Sequence, residues 1–442
     1  MKLDKFIFDH FAPIPFKQWK QKIQYELNGA DYQTELVKTS FNGITHLPFY
    51  THSENRNLID IKAPKRALKT VHITVFNALE ANNEALKYQN TKAEAFYFLI
   101  FDKEIDSAAL LKDIQLPVII DCQFLNVKLN KEIHKNYKGT ALKILTTPFG
   151  KLLKTGNWFR DNNWDIEQLQ HIISFNNEAL TINLSVLHNA GASEIQQLSY
   201  TICQILEYKK VINLNNCKTI NYQVSIGTDF YVEIAKIKAL RVLHFSITKW
   251  LNITIEPNII LLKSHRNLQA VNTNLNSSIH ETEQLIGIAG GANYITSLPN
   301  NSCFFKEDSG VIEDQITGFL NSDIHEKAKL FDNTIYIEKL TQQLVSKSIE
   351  LINSIEEGGG FLVQFKKGII HKKIEQKAIQ EQRKFNENWD NLITEKSLLN
   401  KTPVSYPFFK YSDKKTQYKP LIEKRLSAPL EKSIWDNIYK ND

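Results

Sequence analysis

The chain has 442 residues, 42% of them hydrophobic and 23% charged, with a net charge of +6. That supplies enough apolar surface for one large core or two to three domains, and it excludes a disordered chain. No apolar run approaches the ~20 residues of a membrane span, and the opening "MKLDKFIFDHF" is too short and too acidic for a secretory signal, so a cytoplasmic protein with no membrane partner is expected.

The charge is unevenly placed. From Lys366 onward 17 basic residues stand against 10 acidic ones, which leaves the remainder of the chain near −1. This stretch lacks the interleaved arginines and aromatics of a nucleic-acid groove and reads as solvated surface, so no nucleic-acid partner is expected. The four cysteines, Cys122, Cys203, Cys217 and Cys303, are far apart. They form neither a C-x-x-C pair nor a Cys/His cluster of metal-ligand spacing, and free thiols with no metal site are expected.

In chain order, the first predicted element is a helix in "PFKQWKQKIQYELNGADY", with Phe16, Trp19, Ile23 and Leu27 along one stripe and Gly29 as its stop. A loop and Pro64 follow, and then an alternation begins. Strands are expected at 71–76, 95–101, 117–124, 141–145, 181–187, 221–227, 258–264 and 293–298, with helical runs between them. Eight βα units with near-continuously apolar strands close most economically into an α/β TIM (β/α)8 barrel, an open doubly wound sheet being the alternative. The expected organisation is an N-terminal arm over 1–64, the barrel over 65–365, and a Lys-rich helix with an extended tail over 366–442. The helix over 337–360 is expected to be the last of the barrel.

The glycine-rich run "GIAGGANYITSLPN" invites a phosphate-cradle reading, but a cradle needs strand, glycines and helix in that order. Here a helix precedes and a strand follows. Gly290 and Gly291 are expected to close a helix, at an end where carbonyls repel phosphate.

At the C-terminal ends of the predicted strands stand His188, His265 and Arg266, and Asp121 lies inside "VIIDCQF". These four are the candidate barrel-mouth residues. A stand-alone barrel enzyme would use His188, His265 and Asp121, although no acidic partner can be assigned to either histidine from the sequence. Asp323-x-His325-x-x-Ala328 is one letter from D-x-H-x-x-G, in which a histidine supplies the lower cobalt ligand of cobalamin. The charged segment around it is expected to be a solvent-facing loop instead.

Several stretches together resemble the small (β) subunit of methylmalonyl-CoA mutase. They are L-x-G-A-D-Y (Leu27 to Tyr32) with the P-x-Y-T ending after it, H-x-A-G-A at His188, Ala190, Gly191 and Ala192, and A-K-x-R-A-x-R with Lys238 in place of the first arginine and Arg241 retained. G-G-x-x-x-x-x-x-L-P from Gly290 and Y-x-E-x-L-T at Tyr336, Glu338 and Thr341 complete the set. The likeness runs from about residue 15 to 385.

Departures accompany it. Asp332, Tyr336 and Glu338 lack the glycines of D-P-x-G-G-S, His280 stands where an arginine is usual, and the tyrosine-histidine pair of catalytic subunits is missing, Leu187 preceding His188 with two residues of that loop absent. The chain also ends where the cobalamin-binding domain would begin. The resemblance therefore implies a non-catalytic isomerase subunit that binds no cofactor or metal itself. Its partner would be a homologous large subunit carrying adenosylcobalamin, in a heterodimer interconverting methylmalonyl-CoA and succinyl-CoA. Phe16, Trp19, Ile23 and Leu27 would face that partner, and acyl-CoA is a further ligand the resemblance allows.

Overall fold

The computed structural model describes residues 14–40, 42–50, 63–64, 66–269, 273–297, 309–332, 334–387 and 415–439. Cys303, Thr51 of the P-x-Y-T ending and the Leu298–Pro299 end of the G-G motif lie outside the described residues.

The N-terminal helix α1 (Phe16–Glu26) precedes a short antiparallel pair, Lys38–Thr39 with Thr45–His46. Eight parallel strands follow: β1 (Leu68–Val75), β2 (Ala95–Ile100), β3 (Val118–Cys122), β4 (Leu142–Leu145), β5 (Thr181–Asn183), β6 (Thr219–Val224), β7 (Glu256–Leu261) and β8 (Tyr294–Ser297). They pair in the order β4-β3-β2-β1-β8-β7-β6-β5. A parallel bridge between Thr146 and Leu180 joins the two outer strands, with the Thr146 amide on the Ala179 carbonyl at 2.9 Å and the Thr181 amide on the Thr146 carbonyl at 3.0 Å. The sheet thus closes on itself as a TIM-type barrel, which removes both free edges.

Helices α2 (Ala78–Gln89), α3 (Ser107–Leu110), α4 (Val127–Asn136), α5 (Asn162–Phe175), α6 (Glu194–Val211), α7 (Phe230–Trp250), α8 (Thr273–Gly290) and α9 (Ser309–Asn321) follow strands β1 to β8. Their starts are written in the sequence. Asn77 caps α2, Asp161 caps α5 and Asp229 caps α7, while Ser193 and Gln196 form a reciprocal capping box at α6. Each cap satisfies amides that the first helical turn leaves unpaired.

Gly291, at φ +89°, ends α8 in the left-handed region, as the sequence suggests. Gly290 is still helical, and its lack of a side chain serves packing: a Cβ there would lie 2.6 Å from the Ile237 Cβ. Arg241 donates to the Gly291 carbonyl through Nε (3.1 Å) and Nη2 (2.6 Å), placing a cation on the carbonyl end of α8.

Two expectations change. The predicted strand over 181–187 stops at Asn183, whose side chain accepts from the Val186 amide and starts a short helix, Leu184–Asn189. An Asx cap offered the backbone a helical continuation that the apolar run "LSVL" does not resist. The eighth barrel helix is α9, whose Ile316 and Leu320 join the cluster built by Val71, Ile73 and Ala85. The longer helix α10 (Ile335–Glu357) lies outside, burying Ile337, Leu340, Leu344 and Ile355 along α6 and α7.

Alternate strand residues divide between two layers. Val71, Phe96, Phe98 and Ile120 face the helices. Ala95, Tyr97, Ile119, Leu145, Ile260 and Tyr294, drawn from five strands, meet inside the barrel. After helix α11 (Ile369–Glu387), the segment 415–427 returns to the barrel and buries Leu421 and Leu426.

Candidate functional site

The ends of the barrel strands carry most of the polar groups the sequence singles out. Asp121, buried on β3, accepts from the Tyr97 hydroxyl on β2 at 2.5 Å, from Gln223 Nε2 on β6 at 2.8 Å and from Gln123 Nε2 at 2.9 Å. Gln223 also donates to the Tyr97 oxygen at 2.8 Å. In the closed ring β6 stands opposite β2, so these bonds cross the barrel axis. Burial raises the Asp121 pKa, opposed by these three donors and by the charge of Lys154.

Beside this bridge the His72 ring lies 4.7 Å from the Tyr97 ring, and neither of its buried nitrogens has a hydrogen-bond partner. Burial, assisted by the charge of His265, pushes its pKa down to about 3, so the ring is neutral. At the opposite end of the bore Lys143 pairs with Glu178 at 2.7 Å and Asn258 donates to Asn221 at 2.8 Å. Tyr294, Ile260, Ile119 and Leu145 belong to the apolar interior cluster. The bore is a packed interior.

The other mouth candidates are each engaged separately. His188, buried at the end of the helix after β5, has Nε2 2.8 Å from the Ser264 Oγ, and burial together with Lys236, Arg266 and His265 holds its pKa well below the usual value. His265 Nδ1 faces Glu423 at 3.0 Å. Arg266, buried to 2%, donates to Glu381 from Nε at 2.8 Å and to the Lys424 carbonyl at 2.9 Å. Asp121 thus accepts from Tyr97, Gln223 and Gln123, and neither histidine is among these donors.

Sequence reasoning missed Gln223, Tyr97 and His72. The signal was there: polar residues at alternate positions of strands otherwise apolar mark the inward face of a closed barrel.

A buried ion pair lies close by. Lys236 Nζ sits 2.5 Å from Glu233, both side chains 1% exposed, and donates to Gln197 and the Ser225 carbonyl. Nearby Glu194 is pushed up to about 7 by burial and by the Glu233 charge.

The remaining motif residues are structural. His325 lies on the helix Ile324–Ala328 in place of the expected solvent-facing loop, because its Nε2, 2.9 Å from the Ala67 carbonyl, is packed beside the start of β1. On α1 no residue is buried, and the Phe16 and Trp19 rings pack at a tilt against Phe49, 4.6 and 4.1 Å between centroids. Among the described residues no group of three His, Cys, Asp or Glu side chains could hold a metal, and no helix is long and apolar enough to cross a membrane.

Three kinds of relative share this chain's pattern. The family model for methylmalonyl-CoA mutase matches residues 168–421, which covers β5 to β8, the Arg241 and Gly291 contact, and the start of the returning tail. The methylmalonyl-CoA mutase small subunit of Porphyromonas gingivalis is 24% identical over 407 residues, 80% of this chain and 65% of that protein. The methylmalonyl-CoA mutase small subunit of Propionibacterium freudenreichii subsp. shermanii is 24% identical over 41% of this chain and 31% of its own length. Methylmalonyl-CoA mutase of Escherichia coli is 26% identical over 46% of this chain and 30% of its own length. The chain spans less than two thirds of the length of each of these relatives. With a family match over more than half its residues, the chain belongs to the methylmalonyl-CoA mutase family.

Proposed function

We propose that this chain is the small, non-catalytic subunit of an adenosylcobalamin-dependent methylmalonyl-CoA mutase, paired as a heterodimer with a homologous large subunit. That partner would hold the cofactor and interconvert methylmalonyl-CoA and succinyl-CoA. The observation that carries the reading is the bridge from Gln223 to Tyr97 and Asp121. A barrel whose opposite walls are joined by direct hydrogen bonds has no bore through which a substrate arm could pass, and its acid is committed to packing.

Two further observations support it. The residues present do not fit a cobalt ligand: the His325 ring nitrogen is taken by the Ala67 carbonyl, on a helix rather than a loop. Two relatives with this pattern are named small subunits. A partner face is offered by α1, where Trp19 keeps 43% exposure after packing on Phe49. An aromatic left half-open on an outlying helix is the type of anchor a partner groove covers.

Co-expression with the candidate large subunit tests the proposal. A stable complex with mutase activity, and an isolated chain with none, is the expected result. Turnover by this chain alone would overturn the non-catalytic reading in favour of a barrel enzyme using His188, His265 and Asp121. Failure of the two chains to associate would remove the partner.

A further inference from the structure

Residues 418–426, which form neither helix nor strand, run across the C-terminal mouth of the barrel as a strap held along both edges of its backbone. On the barrel side its amides donate: Tyr418 to the Gly156 carbonyl at 2.9 Å, Leu421 to Leu153 at 2.8 Å, Lys424 to Asn189 at 2.8 Å and Leu426 to Arg266 at 2.9 Å. On the other side its carbonyls accept: Lys419 faces His371 Nε2 at 2.6 Å, Lys424 takes Arg266 Nη1 at 2.9 Å and Leu426 takes Gln382 Nε2 at 2.9 Å. His371 and Gln382 belong to α11, so the strap lies in a slot between that helix and the loops after β4, β5 and β7.

Arg266 is the latch of this slot. Its guanidinium donates to the strap and, from Nε at 2.8 Å, to Glu381 on α11, so one buried side chain joins the barrel loop, the strap and the helix. Gly191 makes room for it: at φ +92°, a Cβ there would lie 3.0 Å from Arg266 Nη2 and 2.5 Å from the Ala378 Cβ on α11. What the slot reads is mainly backbone. Leu421 and Leu426 add buried apolar anchors, five residues apart. This is how an extended peptide is recognised, main-chain bonds giving affinity and spaced side-chain pockets giving selectivity. In sequence the strap is separated from the helix that walls its slot by residues 388–414.

We propose that the strap is a detachable insert: it leaves the slot as one unit while the barrel stays folded, and the slot it vacates is a binding site for an extended peptide with leucines at that spacing. In the intact chain the tether holds the strap at high effective concentration, which puts a peptide in solution at a disadvantage. The inference stands on this chain alone and does not depend on the proposed partner.

Native-state hydrogen exchange of the full chain in sub-denaturing urea tests the detachment. The Tyr418, Leu421, Lys424 and Leu426 amides should share one opening, at least about tenfold faster than that of Thr181 and Asn221, whose amides donate between barrel strands. Arg266→Met should speed the four by about tenfold more and leave Thr181 and Asn221 unchanged. Peptide binding tests the site. Leu421→Asp combined with Leu426→Asp in the full chain empties the slot, and a fluorescein-labelled peptide of residues 415–427 should then bind saturably by anisotropy, at least about tenfold tighter than to wild type. If that variant does not fold, excess unlabelled peptide added to wild type should speed exchange of the chain's own strap amides by occupying their slot. Strap amides that exchange only together with the barrel, or each at its own rate, would overturn the proposal. So would a vacated slot that leaves the peptide unbound, or wild-type strap exchange that excess peptide does not change.

Discussion

Gln223 Nε2 lies 2.8 Å from the Asp121 carboxylate, although 102 residues separate the two and their strands are not neighbours in the barrel. The bond forms because closing the sheet brings the inward faces of β3 and β6 within side-chain reach. With the Tyr97 hydroxyl as third member, it ties opposite walls together in a region of low dielectric, where a satisfied network is rigid and a broken one is costly.

Gln223→Leu is expected to cost about 1–3 kcal/mol, because it removes one donor each from a buried carboxylate and a buried phenol while nearly conserving volume. Urea unfolding measures it. Gln223→Glu should cost more at neutral pH, since two carboxylates then share the site, and part of that loss should return on acidification as one takes a proton. Equal stability of the two variants at every pH would contradict the bridge.

His72 predicts an acid-side loss of stability. Its folded pKa is about 3 against an ordinary 6.5, so between those values the unfolded chain binds a proton that the folded chain does not. Stability therefore falls as pH drops from 6.5 toward 3, by about 2 kcal/mol at pH 5 from this residue. Glu194, raised to about 7, acts in the opposite direction but is common to wild type and variant. His72→Phe, which preserves the stack on Tyr97, should be less sensitive to acid than wild type by about that amount. Parallel stability–pH curves for the two would show that the ring is not buried neutral.

The Lys236–Glu233 pair should behave asymmetrically under mutation. Lys236→Met strands the buried Glu233 charge and is expected to cost about 3–5 kcal/mol. Adding Glu233→Leu should recover most of it, since two apolar residues suit a site with both side chains 1% exposed. A double mutant no better than the single would mean that the pair is not coupled.

Trp19→Ala separates the two jobs α1 could have. With no α1 residue buried, the isolated chain should lose no more than about 1 kcal/mol, measured by thermal unfolding. Association with the proposed large subunit should weaken tens- to hundreds-fold, from an anchor worth about 2–4 kcal/mol. A variant that unfolds alone would place α1 in the chain's own stability rather than at an interface.

Much of this molecule was legible from local pattern. Eight runs of strand-like residues alternate with helical periodicity, and Asn77, Asp161, Ser193 and Asp229 mark where helices start. Gly291 marks where one stops. Such signals are readable because they rest on backbone geometry and on hydrogen bonds within a few residues. The barrel follows from them, while the family resemblance rests on separate motifs such as H-x-A-G-A at His188 and Y-x-E-x-L-T at Tyr336.

What the sequence could not decide is which polar residues meet. It placed Asp121, His188, His265 and Arg266 near one mouth but not their partners, and it gave no hint that Gln223 would cross the axis or that Glu423 would come back from the tail to His265. It also let "TINLSVL" read as one strand, where Asn183 turns the chain into a helix. Each of these contacts joins segments whose distance along the chain carries no information about their distance in space. Only closure of the sheet, and the packing of the returning strap upon it, sets that distance. A hydrogen bond forms or fails within a few tenths of an ångström, so the alternation in the sequence fixes the barrel, while the chemistry of its mouth is decided by the tertiary fold.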